Sequence, residues 1–432
     1  DQPRSRGLGD VYKRQANEMR RDAFQLFQNE TFWVGLDTFY DRRNGVVFFV
    51  NPLGGFTDFQ FANEGSPNLD WNPVWNVRTG RFEGGWTVEM AIPFRSLRYR
   101  PGPDQVWGVQ LQRNMPRKNE FTYLAPIPIS AGIAGIFRAS EAATLVGLEV
   151  PEASKNVEIK PYTIGGVSTN LKATPPTRNV GSGDFGVDVK YGITQNLTAD
   201  FTYNTDFAQV EVDEQQVNLT RFSLFFPEKR EFFLEGQGIF SFGGVSTGRQ
   251  WWSGGGDTPI LFFSRQIGIS GRNEVPIRAG SRVTGRSGAF TLGLLNVQTG
   301  EDTSLEAQST NFSVVRIRRD IFRRSTIGFM GTNRSVSLKG EGSSQSYGVD
   351  ANFSFFEDLN LGGYYAQTKT PGLTGQDTSY AASIRNEGDR YGFSYAHLLV
   401  GDNFNPEIGF VRRDDFRQNR GSVQCTPRPA SI

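Results

Sequence analysis

The stretch Leu197-Thr-Ala-Asp-Phe-Thr-Tyr-Asn-Thr-Asp-Phe207 alternates between two kinds of side chain. Its odd positions are mostly apolar or aromatic, and its even positions are all polar. Because successive side chains of a strand point to opposite faces, the pattern predicts a β-strand with one apolar and one wet face. Its span, 197–207, also matches the roughly 9–11 residues that a tilted strand needs to cross a bilayer. Taken alone, it fits a soluble sandwich equally well.

The same alternation recurs further along the chain, in segments 347–355, 359–365, 379–385 and 391–395. A short connection at 386–389 alternates with longer loops rich in Gly, Ser and Thr, at 338–344 and 369–377. Short turns on one side and long loops on the other are typical of outer-membrane barrels. The repetition therefore favours an antiparallel transmembrane β-barrel over a soluble sandwich for this half of the chain.

A phenylalanine-rich stretch, NLTRFSLFFPEKREFFLEGQGIFSF at 218–242, breaks this alternation. Its consecutive pairs, Phe225-Phe226 and Phe232-Phe233, need burial on both faces, which a simple wall strand does not provide. We therefore expect the stretch to fold against the barrel interior or rim, with its charges paired in the lumen. The candidates for such a lumen or constriction site are Glu228, Lys229, Arg230 and Glu231.

Carboxylates in and before this stretch leave a catalytic alternative open. Paired carboxylates perform acid–base chemistry in glycoside hydrolases. The residues in question are Glu211, Asp213, Glu214, Glu228, Glu231 and Glu235. Because Lys229 and Arg230 interleave with the second group, charge pairing explains them without chemistry, and we expect no enzyme and assign no catalytic residue.

Composition limits the other functions. The 432 residues suggest two or more domains, and a net charge of +1 implies no polyanionic partner such as a nucleic acid. One His and one Cys leave no material for a Cys/His metal cluster or a disulfide within the chain. We predict no metal site and no cofactor, although calcium in the N-terminal domain stays open without assignable ligands.

Residues 16–150 predict a β-sandwich. Two apolar runs flank an Asn44-Gly45 hairpin signal, and the segments 84–94 and 106–113 alternate cleanly. About six such strands are typical of a sandwich.

Four blocks of this region resemble a known family: LDTFYDRRNGVVFFVNPLG, DWNPVW, GGWTVEMAIPFRSLRY and VWGVQLQRN followed by RKNE. They are similar to the carbohydrate-binding-module family 9-like domain, in the version fused to an outer-membrane β-barrel domain of uncharacterised function, DUF5916. The later stretches around 202–236 and 403–417 resemble the same barrel family. The resemblance implies a sandwich, N-terminally incomplete, that binds the end of a saccharide by aromatic stacking.

Three residues of the DWNPVW loop are candidates for that binding. Trp71 and Trp75 lie between Pro67 and Gly80, where we expect their rings to be exposed for stacking, and Asp70 would accept hydrogen bonds from sugar hydroxyls. The alternative is a loop that its tryptophans anchor and its Asp caps.

The domain organisation follows from these segments. Residues 1–15 resemble a translated sequencing-adapter tail, as on metagenomic fragments, and are excluded from the fold. The sandwich (16–150), a linker (151–157) and a C-terminally truncated barrel (158–432) follow. We expect an outer-membrane location, with the signal peptide lost by truncation at the N-terminus.

The sequence thus favours an outer-membrane β-barrel that binds or passes saccharide or related envelope ligands. Its basic clusters at 316–319 and 323–324 are expected to be solvated turn charges, or to face the periplasm or lipopolysaccharide phosphates. A membrane-associated glycan hydrolase using carboxylates in 211–235 and a structural or assembly protein of the outer membrane are the alternatives.

Overall fold

A computed structural model shows the chain to be almost entirely β, as predicted. It describes residues 16–61, 64, 67–69, 71–100, 102, 104–150, 157–171, 176–194, 196–205, 225–226, 228, 230–234, 236–244, 256–270, 273–301, 307–322, 325–356, 358–388 and 390–427. The described residues form two compact units, 16–150 and 157–427. Most of the predicted linker and all of residues 1–15 lie outside the described part, so the domain boundaries stay a prediction.

The first unit contains nine strands: β1 (Thr31–Asp37), β2 (Gly45–Val50), β3 (Phe56–Phe61), β4 (Pro67–Asn68), β5 (Asn76–Phe82), β6 (Gly85–Ala91), β7 (Gln105–Met115), β8 (Glu120–Tyr123) and β9 (Ala143–Leu148). Seven form an antiparallel sheet in the order β4-β3-β2-β1-β7-β8, with β9 also paired to β7, while β5 and β6 form a separate hairpin. Short 3₁₀ helices lie at Phe24–Gln28, Phe94–Ser96, Pro116–Lys118, Ile129–Phe137 and Ala139–Glu141.

Alternation places an apolar core on each face of this seven-stranded sheet. One core surrounds Trp33 and Phe49, whose rings stack at 4.4 Å, and includes Ile136 of a 3₁₀ helix. The other surrounds Phe48 and includes Met90 of the β5–β6 hairpin. The sheet is therefore buried on both sides.

The second unit contains fourteen strands: β10 (Val157–Asn170), β11 (Thr177–Thr194), β12 (Leu197–Thr205), β13 (Ile269–Ser270), β14 (Asn273–Glu274), β15 (Ile277–Ser287), β16 (Phe290–Thr299), β17 (Asn311–Ile321), β18 (Ser325–Arg334), β19 (Ser344–Phe355), β20 (Leu359–Lys369), β21 (Thr378–Glu387), β22 (Tyr391–Val400) and β23 (Phe416–Cys425). Twelve build one antiparallel sheet in the order β10-β11-β12-β15-β16-β17-β18-β19-β20-β21-β22-β23. One α-helical turn, α1 (Glu231–Leu234), and 3₁₀ helices at Gln237–Phe240 and Ser264–Gln266 lie outside this sheet.

The two faces of the large sheet differ in what covers them. On the packed face, side chains such as Asp200, Arg282 and Val314 are buried beneath residues from outside the sheet. On the open face, the alternate residues, such as Phe201 and Val315, are exposed at 50% and 37%. The predicted alternation is therefore present over the described residues 197–205, but the polar side chains of this strand are on its buried face.

Connections between the strands differ in length at the two ends of the sheet. At one end β15–β16, β17–β18, β19–β20 and β21–β22 join through at most three residues, and we call this the short-turn end. At the other end the connections are longer, and the longest, 206–276, joins the neighbouring strands β12 and β15. No helix in the described ranges is long and apolar enough to span a bilayer.

Candidate functional site

The packed face is covered by part of the β12–β15 connection, which we call the inner segment: residues 225–244 and 256–267 as far as the structure describes them. Its aromatic side chains Phe232, Phe233, Phe240 and Phe242 are each at most 8% exposed. They share one core with wall residues of six strands, from Ile277 on β15 to Leu398 on β22. A further stretch near Phe404 and Ile408 packs into the same core. The phenylalanines that break alternation are therefore those that leave the sheet and pack onto it.

Glu228 and Arg230 form a buried ion pair within the inner segment. Arg230 donates from Nη2 to Oε2 of Glu228 at 2.6 Å and from Nε to Oε1 at 2.8 Å. Its guanidinium also donates to the carbonyl oxygens of Ile267 and Ser264, at 2.7 and 2.8 Å. The Ser264 hydroxyl donates to Glu228 at 2.8 Å, and the guanidinium lies 4.3 Å from the Phe233 ring centre. One cation thus holds both ends of the segment together.

The electrostatics of this pair follow from its burial. Glu228 is 2% exposed and Arg230 is 4% exposed. Burial alone would raise the pKa of the Glu228 carboxyl, but the charge and hydrogen bonds of Arg230 and the Ser264 hydroxyl hold that pKa below its ordinary value. Glu228 is therefore an ionised, fully engaged acceptor, which suits a structural tie and not a general acid.

Two more buried arginines tie the segment to the sheet. Arg282 on β15 donates to Asp200 on β12, at 2.8 Å from Nη2, and to the backbone oxygen of Phe232. Arg316 on β17 donates to both oxygens of Asp350 on β19, at 2.5 and 2.8 Å, and lies 5.6 Å from the Phe242 ring centre. The wall charges are therefore neutralised where the segment touches them.

Arg316 corrects the expectation for the basic cluster around 316–319. This residue is 1% exposed and ion-paired on the packed face, so it is not a solvated turn charge. The reason is strand parity: Arg316 and Arg319 lie on opposite faces of β17, and Arg319 is exposed. The cluster thus combines a buried structural cation with a surface one.

Three glycines of the packed face make room for the aromatic rings of the segment. A Cβ added at Gly293 on β16 would lie 2.9 Å from both Ile239 and the Phe240 ring. At Gly348 on β19 it would meet the Phe242 ring at 2.6 Å, and at Gly280 on β15 the Phe232 ring at 3.1 Å. The separations at Gly293 and Gly348 are too short for carbon atoms, and the one at Gly280 would force the ring to move, so each glycine permits a close approach.

Several predicted site residues have no described side chain. Lys229, Glu211, Asp213, Glu214 and Glu235 lie outside the described residues, and Glu231 is placed only as the first residue of α1. Among the described residues, no group of three or more His, Cys, Asp or Glu could hold a metal ion.

In the first unit, the structure separates the two candidate tryptophans, while Asp70 lies outside the described residues. Trp75 is 4% exposed and packs between Phe48 and Phe56, and its Nε1 donates to the Asp58 carboxylate at 2.8 Å. Burial raises the pKa of Asp58 to about 6. The expectation that Trp75 is exposed for stacking is therefore wrong, because its ring completes the core. Trp71 is half-buried with one edge on Phe48 and stays a prediction.

Sequence comparison places residues 156–426 in a domain of unknown function, DUF5916. The chain belongs to the DUF5916 family. The matched residues comprise the large sheet and the inner segment, so the predicted resemblance of this region is confirmed. No curated protein is detectably similar to the chain in sequence.

Solved structures similar to this DUF5916 chain include an anion-selective porin from Comamonas acidovorans, with 11% identity and a TM-score of 0.28 over 92% of this chain and 95% of that one. OccK2 of Pseudomonas aeruginosa in complex with glucuronate shows 8% identity and a TM-score of 0.26, over 85% of this chain and 80% of that one. OmpT of Vibrio cholerae shows 13% identity and a TM-score of 0.24, over 63% of this chain and 97% of that one. At these TM-scores the likeness does not extend to ligand or activity.

The residues that sequence reasoning missed in the DUF5916 region are the wall partners of the segment. Asp200 and Arg282, or Arg316 and Asp350, are far apart in the chain and meet only through strand pairing. The sequence contained one signal of these pairs. Charged residues such as Asp200 occur among small polar residues on one face of a strand, and alternation already distinguished that face from the apolar one. Register, which the sequence does not give directly, decides which of them pair.

Proposed function

We propose that this chain is a β-barrel protein of the bacterial outer membrane, whose interior the inner segment closes. The observation that supports this most is a continuous apolar row on the open face. Seven neighbouring strands contribute residues in direct register: Leu292, Ile317, Phe329, Val349, Tyr365, Tyr380 and Leu399. Exposing such an apolar surface to water is unfavourable, whereas contact with the acyl chains of a lipid bilayer would cover it.

The distribution of polar residues supports the same orientation. The opposite face is polar toward the short-turn end, with Ser383, Arg385, Ser394 and Ser422 exposed or half-exposed. Toward the long-loop end, that face is covered by the inner segment. An apolar outside, a wet inside and an interior obstruction together describe a plugged barrel rather than an open pore.

The orientation is testable with a fluorescent probe. Cys425 is first replaced by Ser, and a single Cys is then placed at Val349 on the open face and labelled with an environment-sensitive dye. In vesicles of outer-membrane lipids we expect a strong blue shift and quenching by lipid-borne quenchers, because residue 349 would contact acyl chains.

Position Ser383 is the control, since it lies on the packed face of β21, three residues from the register row of Val349, and is exposed. A dye there should stay water-accessible. Equal water exposure at both positions would contradict a membrane location for the open face.

We further propose that the first unit captures a saccharide or related envelope ligand for this barrel. The resemblance to family 9-like modules and the half-buried ring of Trp71 support the proposal. A hydrolase gains no support from a specific contact, because Glu228, the carboxylate of 211–235 whose side chain is described, is engaged by Arg230 and Ser264.

Glycan binding by the full chain tests this capture. We expect saturable binding to at least one class of a broad panel, and a loss of about 1–3 kcal/mol of binding free energy in Trp71→Ala, the range for aromatic stacking and burial. Isothermal titration against the panel measures it.

Trp86→Phe is the control, because Trp86 is half-buried on the β5–β6 hairpin and donates to Glu30. Absence of binding across the panel, or equal weakening by both variants, would remove Trp71 as a binding residue.

A further inference from the structure

The open face contains a groove beside the apolar row, which the side chains of that row do not fill. It has a volume of about 640 Å³ and crosses strands β16 to β20 near the short-turn end. Along its floor, Ile327, Ala351 and Gly363 are neighbours in register, and the last two are small. One side is formed by the next register row, which includes Phe329, Val349 and Tyr365.

One end of this groove carries a positive charge. Arg319 belongs to the same register row as Ile327 and is exposed. Its guanidinium lies 5.4 Å from the ring centre of Phe290, which is opposite it on β16 and also lines the groove. Within the described ranges, Arg319 has no carboxylate partner. The groove thus combines an apolar channel with a cation at its β17 end, and the whole row lies near the short-turn end.

This combination matches one kind of molecule, provided that the proposed membrane location is right. An apolar channel suits an acyl chain, and a guanidinium suits a phosphate group. In bacterial outer-membrane barrels the short turns lie on the periplasmic side, whose leaflet is made of phospholipid. The position of Arg319 at the short-turn end therefore favours phospholipid over lipopolysaccharide.

We propose that this groove binds an anionic phospholipid of the periplasmic leaflet. One acyl chain of the lipid lies over Ala351 and Gly363, and the phosphate of its headgroup contacts Arg319. The site is separate from the inner segment, because Arg319 and Arg316 lie on opposite faces of β17. Binding there holds a lipid against the wall strands that carry the Arg316–Asp350 pair.

Native mass spectrometry tests the site. The full chain is reconstituted in vesicles of equal parts phosphatidylcholine and phosphatidylglycerol, and flotation of the vesicles measures insertion. The protein is then extracted into a neutral detergent, and the lipids that remain bound are identified. We expect retained phosphatidylglycerol in preference to phosphatidylcholine.

Two variants address the two halves of the site. Arg319→Gln should lower retention of phosphatidylglycerol about fivefold, the effect expected for one cation at a membrane surface. Ala351→Leu should lower it by filling the floor without removing charge. Arg417→Gln is the matched control, because Arg417 is an exposed open-face arginine at the opposite end of its strand.

The outcomes distinguish failure of the lipid-site proposal from failure of the proposed membrane location. Failure of the wild-type chain to float with vesicles overturns the proposed membrane location, and the lipid site with it. Insertion with no preference for phosphatidylglycerol, or equal losses in Arg319→Gln and Arg417→Gln, overturns the lipid site alone. A retained second copy of the chain that Ala351→Leu releases would make the groove a subunit interface instead.

Discussion

Replacing Arg230 by Met should destabilise the inner segment by about 3–5 kcal/mol, the usual cost of removing one partner from a buried ion pair. The variant leaves the Glu228 carboxylate buried without its cation, and it also removes the donors to the Ile267 and Ser264 carbonyls. Backbone amides of 230–244 should therefore exchange with deuterium at least about a hundredfold faster. Hydrogen exchange with mass spectrometry measures this on the full chain.

The double variant Glu228→Leu/Arg230→Met separates charge from packing. It removes the stranded carboxylate, so we expect it to recover more than about 1 kcal/mol of the loss. A double variant as unstable as the single one would show that the ion pair does not hold the segment.

Acid should act on the same pair in a defined direction. Because the pKa of Glu228 is held below its ordinary 4.5, the stabilisation by the pair is fully present above about that pH. It is lost as the pH falls through the lower pKa of the folded state. The Arg230→Met variant should lack this acid-induced loss of protection.

Replacing Gly293 by Val should displace the segment from the sheet. The new side chain would overlap Ile239 and the Phe240 ring, and overpacking of this kind typically costs about 1–3 kcal/mol. We expect faster exchange confined to the segment, and in planar lipid bilayers a rise in ionic conductance if the segment closes the interior.

Gly331→Val provides the comparison, because Gly331 lies on the open face of β18, where an added Cβ meets only the Phe329 ring at an ordinary 3.4 Å. Valine there should leave exchange and conductance unchanged. Equal effects at both positions would mean that valine disturbs the strands themselves and not the contact with the segment.

The sequence predicted the strands well where alternation was strict. The described part of the first stretch, 197–205, and the segments from 347 onward form strands of the large sheet. The departure of the phenylalanine pairs from alternation correctly indicated a segment packed on both faces, because consecutive apolar residues cannot both point inward from one strand.

What the sequence could not show depends on contacts between distant residues. Trp75 looked exposed because its loop context is polar, yet the indole is fixed in the core by Asp58 and two phenylalanines. Arg316 looked like a turn charge because its partner Asp350 comes two strands later. In both cases a partner far along the chain decides the environment.

The β12–β15 connection has a consequence for how this family can vary. Thr205 and Ile277 are paired neighbours in the sheet although residues 206–276 separate them in sequence. The whole inner segment is therefore one insertion in a single hairpin, and the cost of closing a loop rises only slowly with its length. Because this connection leaves and re-enters the sheet at neighbouring strands, a change in its length alters no strand pairing, whereas a change in its rings must be matched at Gly280, Gly293 and Gly348 of the sheet.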